Sequence, residues 1–157
     1  MPRDIRILLH DIRSVYNVGA IFRTADAIGV SRIYLSGYTP GPLDRFGRVR
    51  KDFAKSALGS EKSVPSEHIQ SPREILSHMK EEGFQVVAVE QSDKSIDYKD
   101  VDLKDRVLVI LGNEVSGVEK EMLKMADVVA EIPMRGEKES LNVSVSAGIV
   151  LYRWFDR

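Results

Sequence analysis

An α/β fold, a mostly parallel sheet flanked by helices, is predicted by three features of the sequence. A strand, a helix and a second strand follow one another within the first thirty-five residues, the spacing of a parallel βαβ unit. Arg6 and Arg106 apart, Ile5 to Leu9 and Arg106 to Leu111 are apolar runs without alternation, as in strands covered on both faces. The runs ending at Leu9, Leu111 and Ile132 each give way to a polar turn that leads into a helix.

In order along the chain, Ile5 to Leu9 is the first strand and His10 to Tyr16 a polar loop. Asn17 can cap a helix whose positions Ala20, Ile21, Ala25 and Ile28 share one face, and Gly29 stops it. Ile33 to Leu35 is the second strand, and the turn dipeptides between Gly37 and Pro42 mark a loop. Asp44 to Lys55 follows as a second loop. It carries Arg45, Arg48, Arg50, Lys51 and Lys55 against Asp44 and Asp52, with Phe46 and Phe53 interleaved. Cations with aromatics meet the needs of phosphate contact and base stacking; equally, the two phenylalanines could anchor a solvated loop to the core. Val64 to Ile69, interrupted by Pro65, fits a short edge strand.

Ser71 and Pro72 open a helix over Arg73 to Glu82 that Gly83 ends. Phe84 to Val89 is a further central strand, Glu90 to Lys104 a loop of serines and charges, and Arg106 to Leu111 the next strand. The turn Gly112 to Gly117 leads into a helix over Val118 to Met125. Val128 to Ile132 is a strand stopped by Pro133, and Met134 to Glu139 a charged loop. The last helix is read from Ser140 as its N-cap, with Leu141, Val145, Gly148, Ile149 and Tyr152 on one buried face. Its first turn, rich in Asn142, Ser144 and Ser146, fits either a binding role or plain capping.

At 157 residues the chain is read as one domain, 1–157, and its 43% apolar and 30% charged content places it with soluble globular proteins. The absence of cysteine excludes disulfides, thiolate catalysis and cysteine metal sites. His10, His68 and His78 share no ligand spacing, so no catalytic metal is expected. A net charge of −1 argues against a uniformly basic nucleic-acid binder but not against a local basic patch. Met1-Pro2-Arg3-Asp4 leads straight into a strand without a signal peptide, which favours the cytoplasm, with no membrane association.

Gly112 to Gly117 has the G-x-x-x-x-G spacing, but Val118 and Glu119 stand where a P-loop needs Lys and Ser or Thr. A G-x-G-x-x-G fingerprint is also missing. What remains is three polar turns, Asn17 to Arg23, Gly112 to Gly117 and Met134 to Asn142, at element ends that an α/β sheet can bring to one crevice. They offer an arginine, a glutamate, two asparagines and a serine. That set suits holding a hydroxyl and a phosphate, and suits hydrolysis poorly, because it lacks an ordinary nucleophile and base pair.

Together N-V-G-A-I-F-R-T-A-D-A-I-G, L-G-N-E-V-S-G and I-P-M-R-G-E-K-E-S-L-N-V-S resemble the three motifs of the SpoU family, the TrmH-like branch of SPOUT RNA 2′-O-ribose methyltransferases. The segment K-S-A-L-G-S-E, Lys55 to Glu61, is similar to a recurrent segment of that branch. The resemblance implies a C-terminal deep trefoil knot, bound S-adenosylmethionine, and an active site assembled across a homodimer. By motif, Arg23 would be the central catalytic residue, supported by Asn17, with Glu114, Ser140 and Asn142 completing the site. Val89, Glu90, Gly112, Ile132, Met134, Ser140 and Leu141 would hold the cofactor. The substrate would be a ribose 2′-hydroxyl of tRNA or rRNA. With no appended RNA-binding domain in view, RNA selection would fall to the dimer surface and to Arg45, Arg48, Arg50, Lys51 and Lys55, with Arg23 on a phosphate. Two other classes compete: a catalytically silent RNA-binding module and a small α/β domain that binds a nucleotide without chemistry.

Overall fold

The computed structural model describes residues 3–156. The reading of Met1-Pro2 as a leaderless start therefore lies outside the described residues. Seven strands form one sheet: β1 (Asp4–His10), β2 (Arg32–Ser36), β3 (Ser66–His68), β4 (Gln85–Val89), β5 (Ile96–Asp97), β6 (Arg106–Leu111) and β7 (Val128–Glu131). Their order is β3-β2-β1-β6-β4-β7-β5, and every pairing is parallel. All carboxyl ends therefore share one edge. The helices are α1 (Val15–Ile28), α2 (Lys51–Ala57), α3 (Ser60–Ser63), α4 (Pro72–Glu81), α5 (Lys120–Met125) and α6 (Val143–Phe155).

The unalternated strand runs have the predicted cause. Successive side chains of β1 and β6 enter different cores: Ile7, Leu9, Val107 and Val109 pack with α1, α2 and α6, while Leu8, Leu108 and Ile110 pack with α4 and α5. The segment Val64 to Ile69 does supply the edge strand β3. The loop Glu90 to Lys104 hides β5, too short for a periodic signal, and a 3-10 turn at Tyr98–Asp100.

Three local expectations change. The cap of α1 is Ser14, whose side chain accepts from the Asn17 N–H; Asn17 sits inside the first turn. The cap of α6 is Asn142, whose Oδ1 accepts from the N–H groups of Ser144 (2.8 Å) and Val145 (3.4 Å), leaving Ser140 in the preceding loop. Serine and asparagine cap comparably well, so tertiary contacts choose between neighbouring candidates. The face of α6 is also different. Val143, Ala147, Val150, Leu151, Trp154 and Phe155 are buried, whereas Leu141, Val145 and Tyr152 are exposed. Both stripes have helical spacing, because α6 is apolar nearly all round.

Asp44 to Lys55 is half loop and half helix. Phe53 lies on α2, fully buried with its ring 5.1 Å from that of Phe22, while Phe46 is 67% exposed. Phe53 anchors the segment to the core, as one reading of the sequence expects, and Phe46 faces solvent.

Candidate active site

The carboxyl edge of the sheet opens into a cleft of about 170 Å³ formed by the segments that follow β4, β6 and β7. Val89, Glu90, Gly112, Ile132, Met134, Ser140 and Leu141, scattered over more than fifty residues of sequence, all line it, as does Glu114. Crossover connections produce this: strands adjacent in the sheet are remote in the chain, so their terminal loops meet.

The turn after β6 is held rigidly. Asn113 and Gly117 pair through their backbones at 3.1 and 2.9 Å, and the Asn113 Oδ1 accepts from the N–H groups of Val115 and Ser116. The Asn113 Nδ2 donates to the Asp11 carbonyl and to the Tyr38 hydroxyl, both at 2.7 Å, tying the turn to the loops after β1 and β2. Gly117 has φ 73°, in the left-handed region, and a Cβ there would strike the Glu90 carboxylate. That carboxylate receives the Val118 N–H at 2.8 Å and the Gln91 N–H at 2.8 Å. Glu90 thus lines the cleft while its charge is spent on the turn.

Glu114 reaches the other way. Its oxygens accept from the N–H groups of Arg13 and Ser14, each at 3.0 Å, and from the Asn17 side-chain amide at 3.3 Å. Asn17 in turn accepts from the Asn142 side chain at 3.2 Å. One polar chain therefore joins Glu114, Asn17 and Asn142, one residue from each of the three motifs. Burial pushes the Glu114 carboxyl up, but the Arg13 and Ser14 amides, its own N–H and Asn17 outweigh this and hold it below the usual carboxylate range. Ionised, with both oxygens hydrogen-bonded, the carboxylate is a poor proton acceptor.

Arg23 stands apart. It is exposed on α1, and among the described residues no hydrogen bond or ion pair links it to the other four. Six residues of helix carry it about 9 Å along the axis and about 240° around from Asn17. Ser140 is exposed at the cleft rim.

In the basic segment, Asp44 pairs with Arg48 at 3.1 Å and Asp52 with Arg50 at 2.8 Å. The guanidinium carbons of Arg45 and Arg48 lie 4.9 and 5.0 Å from the centre of the exposed Phe46 ring. Sequence spacing missed three features. Asn113 and Tyr38 carry no signal beyond their turns. His10, far from Glu119 in sequence, lies with its Nε2 2.9 Å from a Glu119 oxygen and 3.3 Å from Asp11, and its Nδ1 2.8 Å from the Ser36 hydroxyl.

A parallel α/β sheet with a cleft at the carboxyl ends of its strands belongs to the class of folds that bind ligands at that edge. The pattern of the SpoU rRNA Methylase family matches residues 4–152, and the chain belongs to that family. It is 36% identical over 150 residues to the tRNA (guanosine(18)-2′-O)-methyltransferase of Aquifex aeolicus, covering 96% of this chain and 68% of that protein. With the 23S rRNA (guanosine-2′-O-)-methyltransferase RlmB of Neisseria meningitidis it shares 33% identity over 92% of this chain and 55% of the relative. The crystal structure of the rRNA methyltransferase from Sinorhizobium meliloti, solved with AdoMet bound, superposes with a TM-score of 0.87 at 30% identity, over 98% of this chain and 56% of that one. The chain thus spans between about half and two thirds of the length of these relatives.

Proposed function

We propose that the chain is an S-adenosylmethionine-dependent methyltransferase acting on a ribose 2′-hydroxyl of tRNA or rRNA. The observation that carries this reading is the convergence of all three motifs on one cleft edge through Glu114, Asn17 and Asn142. The cleft suits the cofactor chemically. Val89, Ile132, Met134 and Leu141 offer apolar surface to an adenosine, with the Gln91 and Ser140 side chains as polar partners. When bound, the cofactor supplies an activated sulfonium methyl. The chain's own task is to bring the hydroxyl into line and ease its proton away. Arg23 binds the adjacent phosphate and polarises the hydroxyl, with the proton leaving through phosphate or water. A guanidinium holds its proton too firmly to serve as a base. Asn17, Glu114 and Asn142 act as positioning residues, and Ser140 closes the rim.

A homodimer is part of the proposal. Arg23 does not line the cleft of its own chain, and Leu141 just before α6, with Val145 and Tyr152 on it, 37%, 48% and 44% exposed, leaves apolar surface uncovered. Tyr16, on α1, is likewise exposed, at 69%. Val145→Asp is expected to convert the dimer to monomer at micromolar concentration, measured by light scattering, and to abolish methyl transfer. A wild type that is already monomeric and active would refute the shared site.

The single domain over 1–157, the cytoplasmic location and the trefoil threading of the C-terminal segment belong to the same reading. In its support, one sheet unites the described residues, no helix among them is long and apolar enough to cross a membrane, and the relatives modify tRNA and rRNA.

RNA is held by Arg45, Arg48, Arg50, Lys51 and Lys55, with Phe46 as a stacking platform. Phe46→Ala is expected to weaken binding of a fluorescent single-stranded RNA about 5- to 100-fold, the worth of one stacked base. Cofactor affinity should be unchanged. Equal RNA affinity in the variant would remove the platform from the proposal.

The experiment for the whole reading is transfer of labelled methyl from S-adenosylmethionine to total tRNA and, separately, to rRNA. Label in one pool names the substrate class. Cofactor binding without label in either pool would favour the silent RNA-binding alternative.

A further inference from the structure

Tyr38, in the loop after β2, stands between two cavities. It lines a second cavity, of about 1060 Å³, between that loop and helices α2 and α3, together with Arg45 and Arg50. Its hydroxyl lies 2.7 Å from the Nδ2 of Asn113, a residue of the cleft lining. The rest of the Asn113 amide fixes the direction of that bond. Its Oδ1 accepts from the N–H groups of Val115 and Ser116 at 2.8 and 2.9 Å, and Nδ2 gives its other hydrogen to the Asp11 carbonyl at 2.7 Å. The Tyr38 oxygen must therefore accept, which leaves the phenol its own proton. Among the described residues no group accepts that proton, and Tyr38 is 54% exposed. The loop beneath it is fixed. The Tyr38 N–H donates to the Asp11 carboxylate at 3.2 Å, and Gly37 takes φ 62°, where a Cβ would strike the same carboxylate. Arg45 lies over the Phe46 ring and, among the described residues, in no ion pair. An unpaired cation and a hydroxyl with a free proton, on one cavity wall, form a donor set for an anion.

We infer that the Tyr38 hydroxyl donates to a backbone phosphate of the substrate RNA and so registers the strand against the cofactor cleft. The inference rests on the RNA methyltransferase reading. A phosphate oxygen only accepts, and an O–H bond to an anion is shorter and stronger than one between neutral partners. With that bond made, Tyr38 joins the strand through Asn113 to the N–H groups of Val115 and Ser116, both on the cleft wall. The arginines draw the strand in through a field that reaches about 10 Å and has little direction. A hydroxyl held in a closed hydrogen-bond network fixes one atom. In-line methyl transfer needs that precision, because a displacement of about 1 Å can cost about 10²-fold in rate.

The test compares wild type with Tyr38→Phe, which keeps the ring and loses the proton. Affinity for a fluorescent single-stranded RNA should fall about 10-fold, the low end for a hydrogen bond to a charged acceptor. Single-turnover transfer at saturating RNA, to the pool that accepts label, should slow about 10- to 100-fold, because the bound strand is out of register. S-adenosylmethionine affinity should stay within about twofold, since Asn113 keeps its bonds to Asp11, Val115 and Ser116. RNAs carrying one uncharged methylphosphonate, placed at each linkage in turn, are then titrated into both proteins. At one linkage the substitution should weaken wild type about 5-fold more than it weakens Tyr38→Phe, the non-additivity of two groups in contact. Additive losses at every linkage, or a variant that loses cofactor affinity and keeps RNA affinity, would overturn the inference. Non-additive RNA binding without any transfer by wild type would sustain the contact and refute the enzyme. Transfer by wild type that Tyr38→Phe matches in rate and in RNA affinity would do the reverse.

Discussion

Replacement of Arg23 by alanine is expected to lower methyl transfer about 10²- to 10⁴-fold, the usual range for removing a group that assists proton transfer or stabilises developing charge. Cofactor affinity should hold, because Arg23 is not among the residues lining the cleft of its own chain. Calorimetry with S-adenosylmethionine and single-turnover transfer to RNA separate the two effects. Arg23→Lys distinguishes the possible roles. If the arginine clamps a phosphate through two parallel N–H bonds, lysine replaces the charge without the fork and stays nearly inactive at every pH. If a deprotonated side chain acts as base, the lysine variant keeps most activity at neutral pH and gains more as pH rises. Mixing Arg23→Ala with Asn142→Ala protomers should then restore partial activity in heterodimers, because one of the two shared sites regains a full set.

The second large effect is expected at Gly112. A Cβ there would lie 2.5 Å from the Gly117 carbonyl oxygen and 2.7 Å from the Val118 nitrogen. Both are backbone atoms in a turn fixed by Asn113 and by the Glu90 carboxylate, so neither can yield cheaply. Gly112→Ala should therefore cost about 1–3 kcal/mol of stability, the range for overpacking a tight site. It should also distort the floor of the cleft enough to abolish measurable cofactor binding. Gly136 serves as control, since a Cβ there meets nothing within 4 Å. Gly136→Ala should melt like wild type and bind normally. Normal cofactor affinity in Gly112→Ala would show that this turn does not shape the binding site.

The sheet was legible because double-sided burial leaves a direct mark: Ile7 to Leu9 and Val107 to Leu111 are apolar at every position, and both faces of β1 and β6 are covered there. What periodicity cannot decide is which of two apolar stripes turns inward. The stripe from Leu141, just before α6, through Val145 and Tyr152 has the same helical spacing as that through Val143, Ala147 and Trp154, and the core took the second. Capping failed for a similar reason. Ser14 and Asn17, like Ser140 and Asn142, are neighbouring residues of comparable capping power, and Glu114 and Asn17 selected the outcome from remote parts of the chain. Phe46 and Phe53 look equivalent in sequence. Only the register of α2 sends Phe53 against Phe22 and leaves Phe46 between two arginines.

The cleft was legible in a different way. No local rule places Val89, Gly112 and Met134 together, because the crossovers that unite them are a property of strand order. Their grouping came from the resemblance to the SpoU motifs, and the geometry then gave it physical content. The same geometry added what the motifs do not express: Glu90 is committed to the turn, Glu114 to the start of α1, and Arg23 is exposed outside the cleft lining.

The chemical position of the transferred methyl tests the central claim most directly. RNA labelled by the wild-type protein from methyl-labelled S-adenosylmethionine would be hydrolysed in alkali and the products separated by length. A 2′-O-methyl group removes the nucleophile that cleaves the neighbouring phosphodiester, so the account predicts label in alkali-resistant dinucleotides and none in the Arg23→Ala reaction. Label recovered in mononucleotides would place the methyl on a base and contradict the account.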